Sequence, residues 1–293
     1  MPELPEVETI RLGLQKYLVG KTIEAVDVRL KRIFTGNPQE IIGAKIRNVD
    51  RFGKGLVINL DNGYSIAAHI KLTGQFIYRG PEVSKVSKVS KKVGGELPNK
   101  FTHVIFKLKA TDAFLYYNDI RQFGWVKIVK SDKLKEISFF KDLGPEPMFG
   151  EIRDKQQETR RLTLEKFEKI VKSSNTAIKV LIMDQKKIGG IGNIYANDGL
   201  FDSKIDPRRK AKTLSGSEIK NLYSSILKVL KKGLENGGAS ELNYVNALGQ
   251  EGKYQHHFLA YAQDGKLCVR CKTKMQKITL GGRGTYFCSS CQK

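Results

Sequence analysis

The most reactive chemistry in the sequence lies at its N-terminus. Removal of Met1, which the small Pro2 permits, leaves a secondary amine as the first group of the chain. An α-amino group has a pKa of roughly 7.7–8.0, so near neutral pH it can attack an electrophilic carbon and hold it as an iminium. Glu3 and Glu6 are close enough to act as general acid or base, although acidic residues in a first helical turn are also ordinary dipole partners. The terminus is therefore a candidate Schiff-base site.

The cysteines of the chain are confined to its last 26 residues. They are Cys268, Cys271, Cys288 and Cys291, in the spacing C-x2-C-x16-C-x2-C. This pairing is typical of a structural zinc ion held by four thiolates, which leave no open position for a catalytic water. Between the two pairs, Arg283 follows two glycines, and a hairpin tip would present its guanidinium to a phosphate.

Three further stretches have both a functional and a purely structural interpretation. Gly189, Gly190 and Gly192 precede Asn193, and this stretch could form either a phosphate-binding turn or a helix-packing turn. Arg121 and Phe123 could fill the gap left by an extruded base, or the ring could belong to the core. Lys54, between two glycines, could approach a phosphate or simply be solvated.

Charge indicates a polyanionic partner. The 293 residues contain 52 Lys plus Arg against 30 Asp plus Glu, which gives a formal charge of +22. Nucleic acid is the leading candidate, and an anionic membrane is a weaker one because no basic amphipathic helix stands apart from a core-forming helix. No apolar run approaches the ~20 residues that cross a bilayer, and no signal peptide is recognisable. We expect an intracellular, cytoplasmic monomer.

The hydrophobic pattern predicts an α+β chain. Apolar residues recur at helical spacing from Val7 to Leu18, and residues 22–129 alternate as strands, with a tight-turn signal at residues 61–63. A lysine-rich segment, 81–100, is expected to be a mobile surface loop. Beyond residue 150 the helical period dominates, and Ser215 with Glu218 forms a capping-box pattern.

These patterns predict an N-terminal antiparallel β-sandwich with an N-terminal helix at 1–130 and a linker at 131–150. A helical domain at 151–245 and a C-terminal region at 246–293 follow.

Several motifs together resemble the formamidopyrimidine-DNA glycosylase family. They are the opening MPELPEVE, DIRQFG at 119–124, TAIKVLIMDQ with GIGNIYAND at 176–198, and the cysteine-rich end, and the likeness runs from Pro2 to Gln292. The resemblance implies a helix-two-turns-helix, a β-hairpin zinc ribbon with one zinc ion, and a lesion-capping loop within 246–293. It also implies a bifunctional glycosylase and abasic-site lyase that removes 8-oxoguanine and formamidopyrimidines from damaged double-stranded DNA.

The resemblance assigns a role to each matching residue. Pro2 would attack C1′ of the damaged nucleotide, Glu3 would protonate the opening sugar, and Lys54 and Arg283 would complete the catalytic set. The DNA-binding residues would be Leu72, His103, Arg121, Phe123 and Asn193. Of these, Leu72, Arg121 and Phe123 would be wedge residues that fill the gap left by the flipped base. The sequence departs from the family at Asn175, where many relatives have lysine, and in its lysine-rich loop.

Three alternatives stay open. An endonuclease VIII-type enzyme shares the fold and the proline chemistry but prefers oxidised pyrimidines, and Leu4 favours the purine branch over it. A zinc-ribbon DNA-binding protein without catalysis would not require Pro2, Glu3 and Glu6. An RNA-binding zinc ribbon would not require an arginine-phenylalanine wedge.

Overall fold

Two β-sheets and an N-terminal helix packed against them form the first part of the chain. The computed structural model describes residues 1–84, 89–109, 112–149 and 155–293. The chain divides into two units: unit 1 comprises Met1–Lys141 and Leu234–Gln255, and unit 2 comprises Asp142–Gly233 and His256–Lys293. The domain boundaries at 130, 150 and 245 stay predictions. Within the described part of the chain, no helix combines the length and the apolar character needed to cross a membrane.

Unit 1 contains nine strands and three α-helices among its described residues. In chain order they are α1, Leu4–Leu18; β1, Ile23–Val28; β2, Phe34–Thr35; β3, Ile46–Phe52; β4, Gly55–Leu60; β5, Tyr64–His69; β6, Gly74–Arg79; α2, Pro81–Ser84; β7, Thr102–Leu108; β8, Ala113–Asp119; β9, Trp125–Lys130; and α3, Ser138–Lys141.

The strands form two sheets around one apolar core. The first sheet has the order β1-β7-β8-β6, and the second has the order β2-β9-β5-β4-β3. All pairs are antiparallel except the short β2–β9 pair. Apolar side chains from both sheets and from α1 pack in a single cluster, so the predicted β-sandwich with an N-terminal helix is confirmed.

The turn predicted at residues 61–63 is present in the structure. The tight turn at 61–63 joins β4 to β5, with Asn59 opposite Ser65 and Gly63 at a φ of 82°. A left-handed residue at this position is expected of a hairpin loop, and glycine adopts it without steric cost.

The prediction of a mobile surface loop at 81–100 is wrong for residues 89–93. Val93 is fully buried and packs with Ile77 and Val245. The main-chain N–H of Ser90 donates to the carbonyl oxygen of Gly249 at 2.8 Å. Residues 85–88 of the same stretch lie outside the described residues.

Unit 2 is helical and ends in a β-hairpin. Its elements are α4, Lys155–Arg160; α5, Leu164–Lys172; α6, Ile178–Met183; α7, Asn193–Asp202; α8, Gly216–Glu235; β10, Gln276–Leu280; and β11, Arg283–Phe287. The last two residues of α8 belong to unit 1. The predicted capping box is confirmed, because Glu218 N–H donates to Ser215 Oγ at 3.2 Å and Ser215 N–H donates to Glu218 Oε2 at 2.7 Å.

Two leucines of α1 test how strongly the core holds this helix. Leu14 is fully buried in the core cluster, whereas Leu12 is 47% exposed. We expect Leu14→Ala to lower the free energy of unfolding by about 2–5 kcal/mol, because it removes buried methyl groups and leaves a cavity. Leu12→Ala is the matched control and should change it by less than about 0.5 kcal/mol. Equal effects in urea titrations would contradict this packing of α1.

Candidate functional site

The N-terminal turn brings two carboxylates into the interior beside Pro2. Pro2 is buried, and Glu3 and Glu6 are only 3% and 1% exposed. Glu6 Oε2 accepts a hydrogen bond from the Glu3 main-chain N–H at 2.8 Å. Glu6 therefore orders the first turn of α1, as the dipole-partner interpretation of the sequence requires. Because Met1 acylates the Pro2 nitrogen, the amine forms only when Met1 is removed.

The second oxygen of Glu6 binds a distant part of the chain. Glu6 Oε1 accepts a hydrogen bond from Ala239 N–H at 2.8 Å, across 233 residues of sequence. Gly238 makes this approach possible: it has a φ of +81°, and a Cβ there would lie 2.8 Å from Glu6 Cγ. Any other residue at 238 would combine backbone strain with a clash against the carboxylate.

The loop between β3 and β4 holds Lys54 in a buried position. Lys54 is 3% exposed, so the interpretation as a solvated loop lysine is wrong. Arg51 Nε donates to Glu8 Oε2 at 2.9 Å, and Arg51 Nη1 donates to the carbonyl oxygen of Gly53 at 2.9 Å. Burial raises the pKa of Glu8, but the positive charges of Arg51 and Arg11 outweigh burial and hold it below its usual value. Glu8 is thus an anion that fixes the Lys54 loop.

His69 ends β5 as a neutral buried base. Burial is the main cause that lowers its pKa to about 3, and the positive charges of Lys71 and Lys54 lower it further. Its Nδ1 accepts the Lys71 N–H at 2.9 Å, so a proton on Nδ1 would break this bond. The neutral ring therefore fixes the start of the loop that carries Leu72.

One buried carboxylate organises the loops that carry Leu72 and Arg121. Asp119 Oδ1 accepts hydrogen bonds from Thr73 Oγ1 at 2.5 Å and from Arg121 N–H at 3.2 Å. Its Oδ2 accepts the Gly124 N–H at 2.8 Å. A single side chain at the end of β8 therefore ties residue 73 to residues 121 and 124, and it brings the two predicted wedge loops together.

Two glycines let these loops close over Tyr117. A Cβ at Gly124 would lie 1.9 Å from the Tyr117 hydroxyl oxygen, and a Cβ at Gly74 would lie 2.8 Å from it. Burial raises the pKa of the Tyr117 hydroxyl well above its usual value, and the Asp119 charge raises it further. The tyrosine is thus a neutral spacer between the loops, and larger residues at 74 or 124 would displace it.

The tips of both loops hold their backbones in an unusual conformation. Lys71 and Gln122 have positive φ angles of 48° and 57°, which typically cost of order 1 kcal/mol or more outside glycine. Each precedes a predicted wedge residue, Leu72 or Phe123. Phe123 is 55% exposed, with the Arg121 guanidinium 5.0 Å from its ring centroid. The interpretation of Phe123 as a core aromatic is therefore wrong.

His103 lies beneath these loops. It is buried, and its Nε2 hydrogen-bonds to the main-chain oxygen of Asp119 at 2.8 Å. The ring thus supports the end of β8, where the arginine loop begins.

In unit 2, Gln185 shapes the turn between α6 and α7. Its Oε1 accepts the Gly190 N–H at 2.9 Å, and its Nε2 donates to the Ile191 carbonyl oxygen at 2.7 Å. Asn193 is the first residue of α7 and is half-buried. Because the first N–H groups of a helix lack intrahelical acceptors, this turn can bind an anion.

The hairpin that presents Arg283 is fixed to the same helices. Gly281 and Gly282 have positive φ angles, as a two-residue hairpin turn requires, and Arg283 beside them is exposed. The fully buried Lys179 of α6 donates through Nζ to the Gly284 carbonyl oxygen at 2.8 Å. Asn197 of α7 provides a second link, because its Oδ1 accepts the main-chain N–H of residue 286 at 2.8 Å.

The four cysteines meet as the spacing predicts. Their sulfur atoms all lie within 4.8 Å of one another, with 3.4 Å between Cys271 and Cys288 and 3.9 Å between Cys268 and Cys291. Tetrahedral zinc with Zn–S bonds of about 2.3 Å separates its sulfur ligands by about 3.8 Å, so the cluster fits one zinc ion. The ion is structural, and its ligands pack against Phe201, Ala260 and Met275.

Sequence reasoning missed several residues that position the site. The motif DIRQFG contains Asp119 without indicating its role, and the partners of Glu6 and Lys179 lie far from them in sequence. Asp198 is another example, since its Oδ1 accepts the N–H groups of residues 259, 260 and 261 at 2.9–3.1 Å. A polar residue at the end of an apolar strand or on the apolar face of a helix is the signal that could have found them.

Three family models and a set of related proteins match this chain along its length. The model of the formamidopyrimidine-DNA glycosylase N-terminal domain matches residues 1–126, that of the family's H2TH domain matches 143–243, and that of the zinc finger found in FPG and IleRS matches 265–293. A formamidopyrimidine-DNA glycosylase of Pelotomaculum thermopropionicum is 37% identical over 298 residues, covering 100% of this chain and 99% of its own.

Solved structures agree with these matches. Lactococcus lactis Fpg (MutM) in complex with DNA containing N7-benzyl-Fapy-dG is 30% identical, with a TM-score of 0.82 and full coverage of both chains. The same protein with DNA containing an oxidised pyrimidine also has a TM-score of 0.82, 30% identity and full coverage.

The buried His69 makes stability depend on pH. Its unfolded pKa is about 6.5 and its folded pKa is about 3, so between these values the unfolded state binds a proton that the folded state does not. The free energy of unfolding should therefore fall by up to about 1.4 kcal/mol for each pH unit from 6.5 toward 3. His69→Asn, whose side-chain oxygen can still accept the Lys71 N–H, should flatten this slope in urea titrations. An unchanged slope would contradict the assignment, with His256→Asn as the exposed control.

Zinc removal should loosen the hairpin. We expect one zinc ion per chain, and Cys288→Ser or chelation should remove it and expose the β10–β11 amides to hydrogen exchange, because metal binding contributes directly to folding. Readdition of zinc should restore protection in the wild type. Full protection of these amides in metal-free protein would contradict a structural role of the ion.

Proposed function

This chain belongs to the formamidopyrimidine-DNA glycosylase family, and from that membership we propose that it removes oxidised purines from duplex DNA and then cleaves the strand. The observation that carries this proposal is the buried N-terminal turn, where Pro2 lies beside Glu3 and Glu6. A secondary amine there can act as the nucleophile, and a buried carboxyl can transfer a proton. The chain is thus a DNA glycosylase and abasic-site lyase of base excision repair.

Base removal begins when the Pro2 lone pair attacks C1′ of the damaged nucleotide. The glycosidic bond breaks, and the base leaves with its electron pair and takes up the proton that the Pro2 nitrogen loses, so that the nitrogen regains its lone pair. The C1′–O4′ bond then opens, Glu3 gives a proton to O4′, and an iminium remains between the Pro2 nitrogen and C1′. Both oxygens of Glu6 accept main-chain N–H groups, which supports an orienting role for Glu6, and the proton transfer is assigned to Glu3 from its match to the family motif.

Strand cleavage follows from the iminium. The positive nitrogen acidifies the C2′–H bond, so loss of that proton expels the 3′-phosphate in a β-elimination. A second, δ-elimination expels the 5′-phosphate. Neither elimination needs a redox change, and the role of the zinc ion is to hold the hairpin.

Unit 1 supplies the residues that replace the extruded nucleotide. Flipping a base costs a few kcal/mol of unstacking, which inserted side chains offset. Leu72, Arg121 and Phe123 lie on two loops joined by Asp119, and the exposed ring of Phe123 supports its insertion into the stack. Lys54 contributes positive charge close to His69, at the start of the loop that carries Leu72. His103 supports the loop that carries Arg121 through its bond to the Asp119 main-chain oxygen.

Unit 2 supplies phosphate contacts. Asn193 opens α7 at a helix N-terminus, and Arg283 projects from a hairpin held by Lys179 and zinc. Both groups suit an anionic backbone, and the charge of +22 favours duplex binding by the whole chain. Because DNA is the substrate, we also propose a cytoplasmic location, in contact with the nucleoid in a bacterium.

The oxidised-pyrimidine alternative keeps one observation in its favour. The Lactococcus lactis relative was solved with DNA that contains an oxidised pyrimidine as well as with a Fapy-dG derivative. Relative activity on the two lesion classes therefore belongs in the first experiment.

The test is borohydride trapping of the Met-processed chain, with removal of Met1 verified by intact mass. Duplexes carry a single 8-oxoguanine opposite cytosine, a thymine glycol, or an abasic site. We expect a covalent adduct on the 8-oxoguanine and abasic duplexes, and little on thymine glycol. Pro2→Gly keeps a primary amine of different geometry and should trap far more slowly.

Each other outcome is informative. A stronger adduct on thymine glycol would overturn the purine preference in favour of the endonuclease VIII type. Absence of any adduct with Met1 removed would overturn the amine mechanism and leave a zinc-ribbon DNA-binding protein.

A further inference from the structure

The lysine-rich segment contacts the part of the chain that binds Glu6. We call residues 89–93 the clamp and Leu234–Gln255 the return segment. The return segment reaches Glu6 through Ala239 N–H and also packs on the sandwich, where the Tyr78 N–H donates to the Ala247 carbonyl oxygen at 2.8 Å. Its position therefore determines how one oxygen of Glu6 is held.

Lys92 joins two points of the return segment. Its Nζ lies 2.9 Å from Glu251 Oε2, and it also donates to the carbonyl oxygen of Ser240, the residue after Ala239. Ser90 Oγ adds a hydrogen bond to Glu251 Oε1 at 2.5 Å. The cation thus connects the end of the return segment to the residue adjoining the Glu6 contact.

Further hydrogen bonds and packing contacts hold the clamp against its neighbours. Gln75 Nε2 donates to the carbonyl oxygens of both Lys92, at 3.1 Å, and Asn243, at 2.7 Å. Val93 packs with Val245, and a Cβ at Gly249 would lie 3.0 Å from Val89 Cγ1.

The bond from Lys92 to Ser240 matters more than the ion pair. The side chains of Lys92 and Glu251 are 26% and 42% exposed, so solvent screens their attraction. The Ser240 carbonyl oxygen lies beside a buried turn in which Ser240 Oγ accepts the Gly252 N–H at 2.9 Å and donates to the Tyr244 carbonyl oxygen at 2.7 Å. A charged donor to that carbonyl fixes the turn at the residue next to Ala239.

We propose that Lys92 is a positioning residue for the N-terminal site: through Ser240 it holds the return segment so that Ala239 orients Glu6 beside Pro2. This assignment rests on the proposed amine mechanism. It gives the lysine-rich segment a role within the reaction, although Lys92 contacts neither the substrate nor the reacting amine.

The test compares Lys92→Met with Lys92→Arg, and with Lys91→Met as the matched control on an exposed neighbour. Single-turnover trapping on an abasic duplex reports the chemical step, and duplex Kd is measured at several salt concentrations. Loss of a hydrogen bond from a charged group should slow trapping in Lys92→Met by about tenfold, while Kd stays within about twofold. Lys92→Arg should recover most of the rate, and Lys91→Met should match the wild type.

Hydrogen exchange of the Ala239 amide gives a readout independent of activity. The amide should exchange faster in Lys92→Met and unchanged in Lys91→Met. A weaker Kd with a reduced salt slope and a normal trapping rate would overturn the proposal, because Lys92 would then be a phosphate contact. Unchanged rate and exchange would overturn it too. If the wild type forms no adduct, the proposed function fails, and the Ala239 amide alone decides whether Lys92 holds the return segment.

Discussion

The buried carboxylate of Glu6 is the interaction on which the N-terminal site depends. Its two oxygens accept the main-chain N–H groups of Glu3 and Ala239, so it joins the first turn of α1 to a segment 233 residues away. A buried carboxylate is costly unless hydrogen bonds compensate it, and here each oxygen has such a bond. Geometry at Pro2 is therefore set by long-range pairing, and Gly238 is the residue that permits it.

Asp119 plays the corresponding role for the loops of unit 1. It binds both the segment with Leu72 and the segment with Arg121, so the two cannot move independently without breaking a buried charge-assisted bond. Within these two loops, Lys71 and Gln122 adopt the left-handed backbone conformation that non-glycine residues rarely adopt. Strained backbone residues cluster at sites that bind ligands, and here each precedes a predicted wedge residue, the half-buried Leu72 or the exposed Phe123.

The sequence allowed prediction of features that depend on local chemistry. Cysteine spacing located the zinc site, the Gly281–Gly282 turn located Arg283, and Ser215 with Glu218 located the start of α8. The turn and cap signals act over a few residues, where local preferences are decisive, and the paired cysteine spacing is itself the metal signal.

Features that depend on distant pairing could not be predicted. Nothing near Lys92 in sequence indicates Glu251 or Ser240 as its partners, and the buried state of Lys54 depends on how two strands place their connecting loop. The lysine-rich composition predicted a solvent-exposed loop, because composition gives only the average preference of a segment. Val93 and Lys92 instead have specific tertiary partners.

The discontinuity of unit 1 has a consequence for biosynthesis. A ribosome makes all strands of the sandwich before residue 131, but the residues that complete unit 1 emerge only at 234–255. N-terminal regions begin to fold while the chain is still growing, so the sandwich must exist for a time with Glu6 lacking its Ala239 partner. The N-terminal end of the protein is thus made first, and one of the hydrogen bonds that order it requires a segment made much later. A nascent or truncated chain that ends before residue 239 therefore carries Glu6 without the N–H donor that holds one of its oxygens, and the fully bonded carboxylate arises only in a chain that includes the return segment.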